Sequence, residues 1–109
     1  MNNALHPPMD LATFEANAAT VARLLAALGN QRRLMIMCKL AEHGEMTVGD
    51  LAAEVGLSQS ALSQHLARLR EEGQVAFRRE AQSAWYRIAD PRCEDLMATL
   101  YRLYCAQKD

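Results

Sequence analysis

Three thiols and one run of small polar residues are the groups in this chain with chemistry to offer. The thiols are Cys38, Cys93 and Cys105. Their number is odd and their spacing wide, so no disulfide framework of the secreted kind is implied, and no Cys-x-x-Cys oxidoreductase. This usage suits a reducing cytoplasm, where isolated thiols are structural, metal-binding or redox-active. Cys38 reads as a small core hydrophobe. Near Cys105, Arg102 and Lys108 favour a thiolate, while the negative end of a helix dipole opposes it. The polar run is Ser58, Gln59, Ser60, Ser63 and Gln64, followed by His65 and Arg68. Hydroxyls and carboxamides can hydrogen-bond base edges, and Gln64 can make a two-point contact with adenine. Arg78, Arg79 and Gln82 suit phosphates or a minor groove. Ser58 serves equally as a helix cap, and His65 equally as a packed or solvated side chain. No nucleophile–base set, phosphate loop or paired-carboxylate motif is visible. The expectation is a non-enzyme with no cofactor.

The elements that must position these groups follow from periodicity. Leu11, Phe14, Ala18, Val21, Leu25 and Leu28 recur at helical spacing, and Gly29-Asn30 ends the stretch. Asn30 can cap a second helix over 31–42, with Leu34, Met37, Cys38 and Ala41 on one face. Thr47 opens a short third helix, and Asp50 three residues on approximates a capping box. Gly56 supplies a turn. Ser58 caps a fourth helix to about residue 72, whose Leu62, Leu66 and Leu69 face inward. A short capped helix, a glycine turn and a second helix make a helix–turn–helix. The small polar residues sit at the end of the second helix that would enter a major groove. The backbone N–H groups near Ser58 suit a phosphate.

Two alternating runs follow, Val75 to Arg79 and Trp85 to Ile88, joined by Glu80 to Ser83 without a Gly or Asn-Gly signal. They predict a hairpin with Val75, Phe77, Tyr86 and Ile88 inward and Arg78 and Arg87 outward. Asp90-Pro91 starts a last helix to about residue 106, with Leu96, Leu100, Leu103 and Tyr104 on its apolar side. The fold class is mainly α with a small β-hairpin, a winged helix–turn–helix. Residues 1–10, with Pro7 and Pro8, read as a flexible tail, and 11–109 as one domain.

The 109 residues carry a net charge of −1, which by itself argues against a nucleic-acid binder. The distribution argues the other way. Residues 58–87 hold five Arg against three Glu, while both flanks are acidic. The local field governs DNA contact. No unbroken apolar run is long enough for a membrane span, and residues 1–8 have no signal-peptide pattern. A cytoplasmic location is expected.

Leu28-Gly-Asn-Gln-Arg-Arg-Leu-Met-Ile-Met-Cys-Lys-Leu40, Val48-Gly-Asp-Leu51, Leu57-Ser-Gln-Ser-Ala-Leu-Ser-Gln-His-Leu66 and the stretch from Gly73 to Tyr86 resemble the ArsR/SmtB family of bacterial repressors. The resemblance implies a homodimer built through the first and last helices, presenting two recognition helices to an inverted-repeat operator in double-stranded DNA. Half-sites would lie about one helical turn, roughly 34 Å, apart. Metal-sensing members carry Cys-x-Cys just before the third helix's Asp-Leu, where this chain has Thr47, Val48 and Gly49. Others carry Asp/His clusters on the last helix, which here has no His. The wing tip lacks the Gly that many members have. The closest likeness is to the persulfide- and redox-sensing subgroup, whose two cysteines sit where Cys38 and Cys105 do. That likeness implies that reactive sulfur species or an oxidant join Cys38 to Cys105 by a disulfide or oligosulfide and so release DNA. Cys93 matches no position in the subgroup. Two other readings stand beside it: a metal or metalloid sensor using Cys38, Cys105 and His43, and a winged-helix module for protein interaction.

Overall fold

The computed structural model describes residues 10–105. The order is α1 (Leu11–Leu28), α2 (Gln31–His43), β1 (Met46–Thr47), α3 (Val48–Val55), α4 (Gln59–Glu71), β2 (Val75–Glu80), β3 (Ser83–Ile88) and α5 (Pro91–Tyr104). Each helix begins where a side-chain oxygen takes a backbone N–H that the helix leaves unpaired. Asp10 accepts from Thr13, Asn30 from Arg33, Thr47 from Asp50, Ser58 from Ala61 and Asp90 from Arg92. Gly56 ends α3 in the left-handed region at φ 70°, where a Cβ is strained. The tail expected over residues 1–10 lies outside the described residues, apart from Asp10.

The sheet has three antiparallel strands in the order β1-β3-β2, one more than the expected hairpin. β1 pairs Met46 with Tyr86 and Thr47 with Trp85. Two residues are too few to show a period, which is why the sequence does not announce this strand. β2 and β3 pair from Val75–Ile88 to Glu80–Ser83, leaving Ala81 and Gln82 as the turn. Ala81 takes φ 57°, doing the work usually left to glycine.

One core joins these elements. It contains Ile36, Met37 and Leu40 of α2, Leu51 of α3, Leu62, Leu66 and Leu69 of α4, Val75, Tyr86 and Ile88 of the sheet, and Cys93 and Met97 of α5. The three leucines of α4 lie inward as expected. Elsewhere the burial differs from the expectation. On α2, Ala41 is exposed and Ile36 and Leu40 are buried instead. Phe77, expected inward, is 38% exposed. On α5 the helix turns Cys93 and Met97 inward, while Leu103 and Tyr104 are 65% and 82% exposed. Of α1, only Ala27 and Leu28 are buried. Thr13, Glu15, Asn17, Thr20 and Arg23 interrupt any apolar run there. Its alanines nonetheless lift the mean hydropathy of the 18 residues to 1.2, so α1 is long and apolar enough to cross a membrane by length and composition alone, although no apolar run in it is unbroken.

Candidate nucleic-acid interface

Burial of Leu62, Leu66 and Leu69 rotates α4 so that its other faces meet solvent. Gln59, Ser60, Ser63 and Gln64 are all exposed. They lie in the first two turns of the helix, where the two serines are small enough to let a backbone approach. Ser58 Oγ accepts from the Ala61 N–H at 3.1 Å, so this hydroxyl is occupied as a cap. His65 and Arg68 are half-buried on the flank that faces α2. Burial pushes the His65 imidazole below its ordinary value, and the charges of Arg33 and Arg32 push it the same way. His65 is therefore neutral near pH 7. Burial also lowers Arg33, with the Arg68 charge adding to it. Arg33 Nε donates to the Ala27 carbonyl at 2.6 Å and Arg32 Nη1 to the Val55 carbonyl at 3.3 Å. Each arginine thus meets the carbonyl end of a helix, the negative pole of its dipole.

The wing carries two differently used arginines. Arg79 lies over the Phe77 ring at 5.6 Å, and Arg70 lies over the same ring at 5.7 Å. Phe77 in turn packs on Tyr86 with centroids 5.1 Å apart, and Arg70 Nη1 donates to the Tyr86 hydroxyl at 3.0 Å. Phe77 is thus a platform for cations, which explains its exposure. Arg78 points to the other side of the sheet. Its Nε and Nη2 donate to Glu45 at 2.9 and 3.0 Å, and its Nη1 donates to Glu80 at 2.9 Å. The Arg78 bond holds the Glu45 carboxyl below its ordinary value. Both carboxylates raise Arg78 in return.

Between the wing and the helix–turn–helix lies an open cleft of about 520 Å³. Thr47, Gly49 and Gln59 line one side, and Arg79, Gln82 and Ser83 the other. The structure so brings Gln59 to Arg79 and Gln82, from which the sequence separates it by 20 residues or more. Thr47 and Ser83 join them, neither of which the sequence marks as an interface residue. A Cβ at Gly49 would meet only Gln59 Nε2, at the ordinary contact distance of 3.8 Å, so the cleft has room for a small side chain there.

The family model for "Bacterial regulatory protein, arsR family" matches residues 30–76. The transcriptional activator HlyU of Vibrio cholerae is 46% identical over 98 residues, 90% of each chain. The chain belongs to the ArsR family. The biofilm growth-associated repressor of Xylella fastidiosa is 39% identical over 108 residues, 99% of this chain and 94% of that one. The crystal structure of the transcriptional repressor BigR from Xylella fastidiosa superposes with a TM-score of 0.82 at 40% identity, covering 91% of this chain and all of that one. The ArsR family is one of regulatory proteins rather than catalysts, and its bacterial regulators suit the cytoplasmic location expected.

Within this ArsR-family fold the expected switch between Cys38 and Cys105 is overturned. All three cysteines are free, and no sulfur bridge or dithiol site is formed. Cys38 is half-buried on α2 against the core, while Cys105 is exposed at the C-cap of α5. Burial pushes the Cys38 thiol up, the Cys105 charge adds to this and Lys39 opposes it. A thiol held in its protonated form is a poor nucleophile. The redox-sensing roles given to Cys38 and Cys105, and with them the reactive-sulfur inducer, are withdrawn. Cys93, set aside on sequence, is fully buried, and burial first, then Asp90 and Glu94, push its thiol up to about 11. Among the described residues no three His, Cys, Asp or Glu gather to hold a metal, so Cys38, Cys105 and His43 do not form the alternative metal site.

Proposed function

We propose that the chain is a dimeric transcriptional repressor that binds an inverted repeat in double-stranded DNA. The observation that carries this reading is α4, whose leucines are buried and whose Gln59, Ser60, Ser63 and Gln64 are exposed together at its N-terminal end. That is the surface a recognition helix offers to a major groove. Gln64 and the serines reach base edges. The cleft between α4 and the wing receives the backbone strand that separates the major groove from the adjoining minor groove. Arg79 and Gln82 contact that strand, and Arg68 and His65 flank the groove edge. The biofilm growth-associated repressor is described as a repressor, and we carry that sign of control to this chain.

A second copy of the chain covers α1 and α5. Leu11, Phe14 and Leu25 on α1 and Tyr101, Leu103 and Tyr104 on α5 are large apolar side chains left exposed by the single chain. Removing such surface from water favours association. A two-fold axis between these helices repeats α4 about 34 Å away, one turn of the duplex. The test is selection from a pool of random duplexes, followed by electrophoretic shift and sedimentation of the complex. Enrichment of an inverted repeat bound by two chains is expected. Failure to enrich any sequence, or a complex with one chain, contradicts the reading.

A further inference from the structure

We propose that Arg78 is a positioning residue that sets the angle of the wing, and that it does not itself contact DNA; the proposal rests on the DNA-binding reading above. Position alone makes Arg78 look like a phosphate contact, since it is an exposed arginine on a wing. Its bonds say otherwise. All three nitrogens of its guanidinium are engaged by two carboxylates at 2.9–3.0 Å. The pair with Glu45 is a two-point contact, the geometry in which arginine gives direction as well as charge. Arg78 and its two partners together carry a net charge of −1, so this group offers the phosphate backbone no attraction. The cation also lies 5.7 Å from the centre of the Trp85 ring, its cross-strand neighbour.

The partners show what is being held. Glu45 stands between the end of α2 and β1, whereas Glu80 closes β2 beside the wing turn. Arg78 thus ties the outer part of the wing to the segment that leads into the helix–turn–helix. With that tie in place, Arg79 and Gln82 face Gln59 across the cleft. Without it, the wing keeps its strand pairing but loses its angle to α4.

The sign of one substitution separates positioning from contact. If Arg78 were a phosphate contact restrained by its neighbours, Glu45→Gln would free it and tighten DNA binding. If Arg78 positions the wing, Glu45→Gln weakens binding although it removes a negative charge. The experiment uses the full chain and a duplex enriched from a random pool. Glu45→Gln, Arg78→Gln and the double variant are titrated over a range of salt. Each single variant is expected to weaken binding about fivefold, and the double variant no further, as for two halves of one ion-pair network. The salt slope stays at the wild-type value. Trp85 is the sole tryptophan, and its emission shifts in all three variants as the cation leaves the ring. Tighter binding by Glu45→Gln overturns the proposal, as does an Arg78→Gln slope lowered by about 0.9, the change for one lost phosphate contact. Unchanged Trp85 emission also overturns it, because the tie would not then exist. A pool that yields no enriched duplex overturns the DNA-binding reading instead.

Discussion

Ala81 offers a test in which one physical effect can be isolated. It stands at φ 57° in a two-residue turn, a conformation that costs an L-residue ~1–2 kcal/mol through its Cβ. Ala81→Gly removes that cost. It also gives the unfolded chain more freedom, which takes back about 0.4–1 kcal/mol. The first effect is the larger, so the variant gains about 0.5–1 kcal/mol. For a domain near 100 residues this raises Tm by about 2–8 °C. Gly56→Ala is the mirror experiment. Gly56 takes φ 70°, and a Cβ there meets nothing within 4 Å. Its cost is therefore conformational alone, and Tm falls by a similar amount. Thermal melting followed by circular dichroism, at one protein concentration, reads both. A lower Tm for Ala81→Gly, or an unchanged Tm for Gly56→Ala, would refute the reasoning.

Leu66 is 1% exposed at the centre of α4, so Leu66→Ala leaves a cavity and costs about 2–5 kcal/mol, read by urea denaturation. Phe14→Glu and Tyr104→Glu alter side chains that are 58% and 82% exposed in the single chain. Each is expected to shift sedimentation towards monomer without unfolding the monomer, and a persisting dimer would place the interface elsewhere. Cys93 has its thiol pushed from 9.0 up to about 11 by burial. Its folded form holds the proton longer than its unfolded form, so its contribution is complete below about pH 9 and is lost as pH rises towards about 11. Over that range wild-type Tm should fall more steeply than that of Cys93→Ala, and parallel curves would show that Cys93 takes no part.

Most of the scaffold was legible because it is local. Asn30, Thr47, Ser58 and Asp90 mark helix starts by their own side chains, and Leu62, Leu66 and Leu69 carry the helical period within ten residues. What escaped depends on partners distant along the chain or outside it. Arg78 looked free because Glu45 lies 33 residues away. Phe77 looked buried by alternation, but Arg70 and Arg79 use its exposed ring. The apolar character of α1 and α5 was legible, yet the single chain leaves Leu11, Phe14, Leu25, Leu103 and Tyr104 exposed. The cysteine pair failed for a related reason. The placement of Cys38 and Cys105 on their helices matched a subgroup of the family, but sequence position does not make a bond, and the fold leaves both thiols free. Of the candidate interface, the exposure of Gln59, Ser60, Ser63 and Gln64 was readable from the leucine spacing of α4, whereas the half-burial of His65 and Arg68 was not, and the cleft needs the sheet register that brings Gln82 and Ser83 to Gln59.

Hydroxyl-radical footprinting on an enriched duplex examines the DNA-binding account most directly. Wild-type protein should protect two patches on one face of the duplex, about 10 base pairs apart. Gln64→Ala should keep both patches and lose preference at one base pair in each half-site. A single protected patch, or full sequence preference in Gln64→Ala, would contradict the account of a dimer that reads bases through α4.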